Sequence, residues 1–507
     1  MANNPFPTAL RRLSGFVSSR RFYRLTIVVF VAEALWLALS AKYPMAFDED
    51  FHLGIIRLYA HHLSPFWSGQ PAGADAYGAV ARDPSYLFQY ALSFPYRLIS
   101  YVTANQTIQV LVLRFINIAL LAASLPLFKR LLVKTGASAG LVNLCLAFFV
   151  LVPIVPLLGA QINYDNAFIP LTALVLLQTI RLVEQLRADQ RLPLRTTLEL
   201  IILMLLTSLV KFAFLPIALA VVVYLAIATY RYSHFGGLWA GLSRQFALIP
   251  KLTRWLLVVG LVVAAGLFAE RYGLNVVNYH KPVPDCGKVL SVQQCRSYGP
   301  WIRDYDLANT KPSRTANPLT FTQLWLYGMW MRSFFAVGGP ESQFDTKGPL
   351  VLPAITTAVL AVTGVPLGFA YGRRLWRRYD KSVLLLFAGV IVTYLLALWV
   401  DEYEAFSRTG QPVAINGRYL LPILLPLLLL VGLLYQEFLR RRLAVKTSLA
   451  LVALLACLWG GGALTYILRS NDAWNWPNPV VHSLNYGLQR TLGPVTPGYA
   501  NPIEFLR

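Results

Sequence analysis

Charged side chains are scarce in this chain. Only 13% of its 507 residues are Asp, Glu, Lys or Arg, whereas 56% are hydrophobic and the mean hydropathy is +0.54. Soluble domains carry about 25% charged residues, so that class is excluded. Short segments of alternating polarity are missing as well, which excludes a closed β-barrel. No internal repeat is visible, so the inverted-repeat plan of many transporters gains no support. A cleavable secretory signal is not expected, because the first apolar run, at 22–41, is too long for a signal h-region and no small-x-small cleavage site follows it. Acids are the scarcer charge: 23 Asp and Glu stand against 45 Lys and Arg, a formal net charge of +22. The cations lie between apolar stretches and form no single basic face, so nucleic acid is not an expected partner.

What is present is a series of apolar runs of about 17 to 25 residues, each sufficient to cross roughly 30 Å of hydrocarbon as a helix. Spans are expected at 22–41, 108–128, 139–159, 164–180, 197–210, 213–230, 255–270, 350–371, 382–400, 418–436 and 447–467, about eleven in all. The stretch from Thr196 to Tyr230 exceeds one crossing and is interrupted by Lys211 and Pro216, so it reads as two short helices with Lys211 at their outer tip. Arg11, Arg12, Arg20, Arg21 and Arg24 precede the first span and set the N-terminus in the cytoplasm. Counting crossings from there, basic clusters such as Arg373 to Lys381 and Arg440 to Lys446 fall inside, while Asp48, Glu49, Asp50, Asp83, Asp165, Asp401, Glu402 and Glu404 fall outside. The chain reads as an all-α polytopic protein of the inner, cytoplasmic membrane.

Residues 1–467 are expected to form the transmembrane unit, with a first outer loop at 42–107, a second at 271–349, and an extracytoplasmic tail at 468–507. The first loop holds two amphipathic stretches, around Phe51–His62 and Ser85–Val102, which suit helices lying along the membrane surface. The second ends in the aromatic run Trp325, Tyr327, Trp330, Phe334, Phe335, which suits an interfacial helix. Cys145 and Cys457 fall within apolar runs. Cys286 and Cys295 share one polar loop, where a disulfide is plausible if that loop is extracytoplasmic.

Residues of chemical interest collect on the outer side. Asp48, Glu49, Asp50 and His52 follow the first span. In a helix starting near Asp48, Asp48 and His52 share a face while Glu49 points away by about 100°. A shielded carboxylate can act as a general base, and a carboxylate beside a histidine can hold a divalent metal. A helix cap would account for one of these acids. Arg82 and Tyr86 offer donors suited to phosphate, although Pro84 and Ser85 are also simple helix starters. Asn163 and Asp165 begin a span on the outer side, where caps are common. Lys211 can pair with a lipid phosphate or merely snorkel. Arg418 and Tyr419 follow Gly417 at another outer end, against the positive-inside tendency, with an interfacial anchor as the plainer account.

Taken in order, Asp48-Glu49…His52, Pro84-x-Tyr86, Asn163-x-Asp165, Lys211 and Gly417-Arg418-Tyr419-x-x-Pro422 resemble the GT-C class of membrane glycosyltransferases. The likeness is nearest to bacterial membrane proteins related to the protein O-mannosyltransferase and aminoarabinose-transferase group, and it covers roughly 20–440. It implies a GT-C-like fold and inverting transfer of one sugar from a polyprenyl-phosphate donor, within the membrane lipid, to an envelope glycan, lipid or protein acceptor on the extracytoplasmic face. The base or acceptor-orienting acid carries over to Asp48 first and Glu49 second, with support from Asp50, His52, Asn163 and Asp165. Donor-phosphate binding carries over to Arg418, then Lys211 and Arg82, with Tyr86 and Tyr419 beside them. Asp50 is an acid beyond the usual pair, which keeps the identity of the base open. Some members of the class need a divalent metal and others do not, so a metal at Asp48 and His52 stays open and no other cofactor is implied. A transporter or flippase of a phosphate-bearing lipid is the alternative; it needs charged or broken helices at mid-membrane, for which Glu33 and Lys211 are the candidates. A noncatalytic scaffold would tolerate loss of all three first-loop acids.

Overall fold

The computed structural model describes residues 5–45, 48–232, 241–310, 317–334, 352–413, 415–470 and 472–496. Among these residues there is no β-strand, and one antiparallel bridge joins Ala41 to Asn475. Hydrocarbon offers the backbone no partners, so a spanning chain of this composition satisfies its N–H and C=O groups within helices. Nine described helical segments are long and apolar enough to cross a membrane: Arg20–Ser40, Gln106–Val133, Asp165–Asp189, Phe212–Tyr232, Lys251–Tyr279, Leu352–Arg378, Lys381–Thr409, Gly417–Phe438 and Leu443–Leu468. The chain is an all-α, multi-pass membrane protein.

Two of the expected spans take shorter forms. The apolar run at 139–159 is broken into Ala139–Leu151 and Ile154–Gly159, because Pro153 lacks the N–H that would continue the first helix. Leu194–Val210 has 17 residues and stops where Lys211 adopts an extended backbone, with φ of −153°. The helix after it resumes at Phe212. A third difference concerns the boundary expected at Arg271, which lies inside a helix running to Tyr279. A π-helical turn at Ala269–Gly273 carries the chain past this point. Arg271 is fully buried there, and its guanidinium donates to the backbone carbonyls of Ala81 and Pro65.

Asp165–Asp189 is the most deeply buried span, with 67% of its apolar window inside the protein, and it packs along Gln106–Val133. Around this pair the polypeptide is arranged so that several helix ends converge: the C-terminal ends of Arg20–Ser40, Leu194–Val210 and Lys381–Thr409, and the N-terminal ends of Asp165–Asp189, Phe212–Tyr232 and Gly417–Phe438. Glu49–Ala60 and Leu87–Val102 lie beside that end and pack on one another. Gly54 is required in the first of them, since a Cβ there would sit 2.1 Å from the Tyr77 ring. Gly417 is required for the same reason, because a Cβ would come within 2.6 Å of the Met329 carbonyl oxygen on the Pro318–Phe334 helix. That helix carries Trp325, Tyr327, Trp330 and Phe334, whereas Phe335 lies outside the described residues. The tail returns to the first span: Trp36 Nε1 donates to Asn485 Oδ1 at 3.2 Å, and Asn485 belongs to the Pro479–Leu492 helix.

Candidate functional site

Two adjacent acids at the start of Glu49–Ala60 set up the site. Glu49 is completely buried and receives a bidentate pair from Arg114, with Nε to Oε1 at 2.8 Å and Nη2 to Oε2 at 2.7 Å. The backbone N–H groups of Met45 and Ile162 donate to the same carboxylate. Arg114 spends its remaining nitrogen on the carbonyls of Ala38 and Ala41. Every charge and lone pair in this knot has a partner, which is the condition under which a buried pair is tolerated. Glu49 therefore joins the first span, the loop that follows it, Gln106–Val133 and the turn before Asp165, and it has no oxygen left to take a proton from a substrate.

Asp48 stands one residue earlier with φ of 71°, a left-handed conformation that Asp tolerates better than most residues. Its Oδ2 accepts from Arg418 Nη2 at 2.6 Å; the Asp48 side chain is 46% exposed and that of Arg418 only 6%. Partial desolvation pushes the Asp48 pKa up, but the Arg418 guanidinium, with smaller help from His52 and Lys211, outweighs this and holds it below the usual carboxylate range. Arg418 is held from behind by a cap, its own N–H donating to Asn416 Oδ1 at 3.0 Å.

The second cation lies close by. Lys211 is buried and its Nζ is 2.5 Å from Asp165 Oδ1, while Asp165 Oδ2, also buried, has no hydrogen-bond partner. Lys211 Nζ is 4.5 Å from the Tyr164 ring centroid and 5.1 Å from that of Tyr419. Arg418 Cζ is 5.2 Å from the same Tyr419 ring, so one aromatic ring is shared by both cations. Asn163 caps Asp165, with Oδ1 accepting from its N–H at 3.0 Å, and Asn117 holds the turn by accepting from Asn163 N and Asn166 Nδ2. The cluster thus offers two fixed cations, each balanced by one acid, with one acid reaching solvent.

The other candidates are placed around this centre. His52 is buried against Tyr164, and burial drives its pKa down to about 3, so it is neutral at pH 7. With the Gln89 amide oxygen turned toward it, His52 Nδ1–H donates at 3.0 Å, and the Gln89 nitrogen donates to the Ser85 and Tyr86 carbonyls. His52 thereby fastens Glu49–Ala60 to the start of Leu87–Val102. Asp50 accepts from the Tyr43 hydroxyl at 2.6 Å. Arg82 and Tyr86 belong to a separate cluster: Arg82 pairs with Glu270 at 2.6 Å, and Arg271 stacks over the Tyr86 ring at 4.4 Å. Ser85 links the two regions by accepting from the N–H of Phe212, next to Lys211.

Among the described residues no three His, Cys, Asp or Glu side chains converge as a metal site would require. Asp48 and His52 alone are too few ligands for a dedicated centre. Cys286 and Cys295 are joined in a disulfide, and Tyr298, just beyond it, packs beside Phe51 and over Gly78. This brings the segment after Tyr279 against the loop that follows the first span. Arg114, Asn117 and Gln89 were not singled out in the sequence. The signal for Arg114 was available, since a lone arginine inside a long apolar run must find a buried partner. An apolar groove lined by Ala32, Glu33, Trp36 and Ala463 shares no residue with the cluster. No protein-family model, curated protein or solved structure matches the chain.

Proposed function

We propose that this protein is a membrane glycosyltransferase of GT-C type, moving one sugar from a polyprenyl-phosphate donor to an acceptor hydroxyl with inversion. The observation that carries the reading is the ion pair between half-exposed Asp48 and buried Arg418, set beside a second buried cation, Lys211, on a shared aromatic ring. A donor phosphate competes with Asp48 for Arg418, since a guanidinium fork suits phosphate as well as carboxylate. Asp48 is then left ionised beside the acceptor. The acceptor oxygen attacks the anomeric carbon while its proton passes to Asp48. The bond from that carbon to the phosphate oxygen breaks, and polyprenyl phosphate leaves with the electron pair, its charge held by Arg418 and Lys211.

The same reading sets eleven crossings, with Ala139–Gly159 and Leu194–Val210 as the two short ones, the N-terminus in the cytoplasm and the site outside. The disulfide supports this side, because such bonds persist in oxidising compartments. The test is transfer of labelled sugar from a panel of polyprenyl-phosphate donors in membranes holding wild type or Asp48→Asn, with insertion of both checked. Transfer that depends on Asp48 supports the enzyme. Transport of a phosphate-bearing lipid is the second reading, favoured by the helix break at Lys211 and by Glu33, whose Oε2 has no partner. Movement of labelled lipid across the bilayer with no new glycosidic bond supports that reading instead.

A further inference from the structure

One buried acid has no place in the mechanism above. Glu402 is 3% exposed, near the C-terminal end of Lys381–Thr409. It faces the Trp325 indole on Pro318–Phe334, whose N–H is directed at its carboxyl without completing a full hydrogen bond, and no other donor reaches either oxygen. The charged groups facing it are Asp401 from its own helix and Arg332 from the neighbouring one. An acid and an indole N–H held in so loose a pair keep unused hydrogen-bonding capacity, which is costly in a buried site.

The surroundings indicate what would satisfy these groups. Trp399 stacks on Tyr403 at 4.9 Å, and Phe321 packs edge or tilt against Trp399, Tyr403 and Phe406. Trp325, Ile415 and Tyr419 belong to this same packed cluster, and Tyr419 is the ring shared by Arg418 and Lys211. A carboxyl group and an indole N–H among aromatic faces match the two sides of a sugar: hydroxyls for the polar groups, C–H faces for the rings.

We propose that Glu402 and the Trp325 indole form a sugar-reading subsite adjoining the phosphate cations through Tyr419. The inference rests on the glycosyltransferase reading, and its test separates the two. Binding is measured in nanodiscs for undecaprenyl phosphate carrying no sugar and for a set of its pentosyl and hexosyl esters, with wild type, Glu402→Gln, Trp325→Phe and Arg418→Ala. The expected result is that at least one ester binds wild type more tightly than the bare lipid phosphate. Glu402→Gln and Trp325→Phe should then each weaken that ester about ten-fold or more, as an unpaired partner in a polar site does, without changing binding of the bare lipid. Arg418→Ala should weaken both. If no ester outbinds the bare lipid, or if the ester keeps its advantage in both Glu402→Gln and Trp325→Phe, the subsite is overturned. Equal loss of bare lipid and ester in these two variants overturns it as well. If bare undecaprenyl phosphate does not bind wild type at all, the glycosyltransferase reading falls and takes the subsite with it.

Discussion

Asp48 and Glu49 are neighbours in the chain, carry the same charge and each meets an arginine, yet their surroundings are opposite. Glu49 is sealed, with a bidentate partner and two backbone donors. Asp48 makes one short contact to Arg418 and keeps nearly half its side chain exposed. The difference is one of closure: a fully satisfied pair holds helices together, whereas a pair with spare capacity can exchange partners. The largest effect should come from breaking the closed pair. Arg114→Leu strands the Glu49 charge and should cost about 3–5 kcal/mol of stability, while the double change Arg114→Leu with Glu49→Leu should recover most of it. Unfolding midpoints in detergent check both; equal loss in the single and double variants would remove the contrast.

The open pair should behave the other way. Asp48→Asn should lower sugar transfer by about 10²–10⁴-fold, the usual range for a general base, while shifting stability by no more than about 1 kcal/mol. A comparable loss of folding would place Asp48 in the same class as Glu49. Arg418→Lys keeps the charge but loses the fork, so it should retain more transfer than Arg418→Ala, with the deficit concentrated in donor KM.

A smaller effect separates the two acids from the histidine that joins Glu49–Ala60 to Leu87–Val102. Folded His52 titrates near pH 3, below its ordinary value of 6.5. Between these values the unfolded chain holds a proton that the folded chain lacks, so stability should fall as pH drops from about 6.5 toward 3, by up to about 1.4 kcal/mol per unit. Above 6.5 this contribution is flat. His52→Gln should remove the slope in a pH series of unfolding midpoints; an unchanged slope would assign it to other groups. Asp48 adds a loss only at lower pH, since its folded pKa is depressed and its stabilisation disappears as pH falls through that value.

Much of this architecture is legible in the sequence. Apolar run length marks the helices, and charge distribution groups Asp48, Asp165, Lys211 and Arg418 at one end, where the structure joins them in two ion pairs. What is hidden depends on pairing between distant elements. Asp48 and Glu49 both stand as candidate bases until Arg114, 65 residues away in sequence from Glu49, is seen to claim that one. Arg82 reads alongside Arg418 and Lys211 in the sequence, but the helix continuing past Arg271 places Glu270 against it and sets it in a separate cluster. Glu402 sits among Asp401 and Glu404 as one of three clustered acids, and only the direction its helix faces separates it from them.

The single extended residue at Lys211 has a consequence for how this gene can change. Two helices meet there with no spare connection, and the lysine at the junction reaches Asp165. Inserting or deleting one residue would turn the following helix by about 100°, rotating its whole face away from Asp165–Asp189. Substitutions near this junction can be absorbed one at a time, but length changes cannot, so a lineage that keeps the lysine pair should keep the register across Val210, Lys211 and Phe212 and take up its length changes in turns away from this junction, such as 190–193.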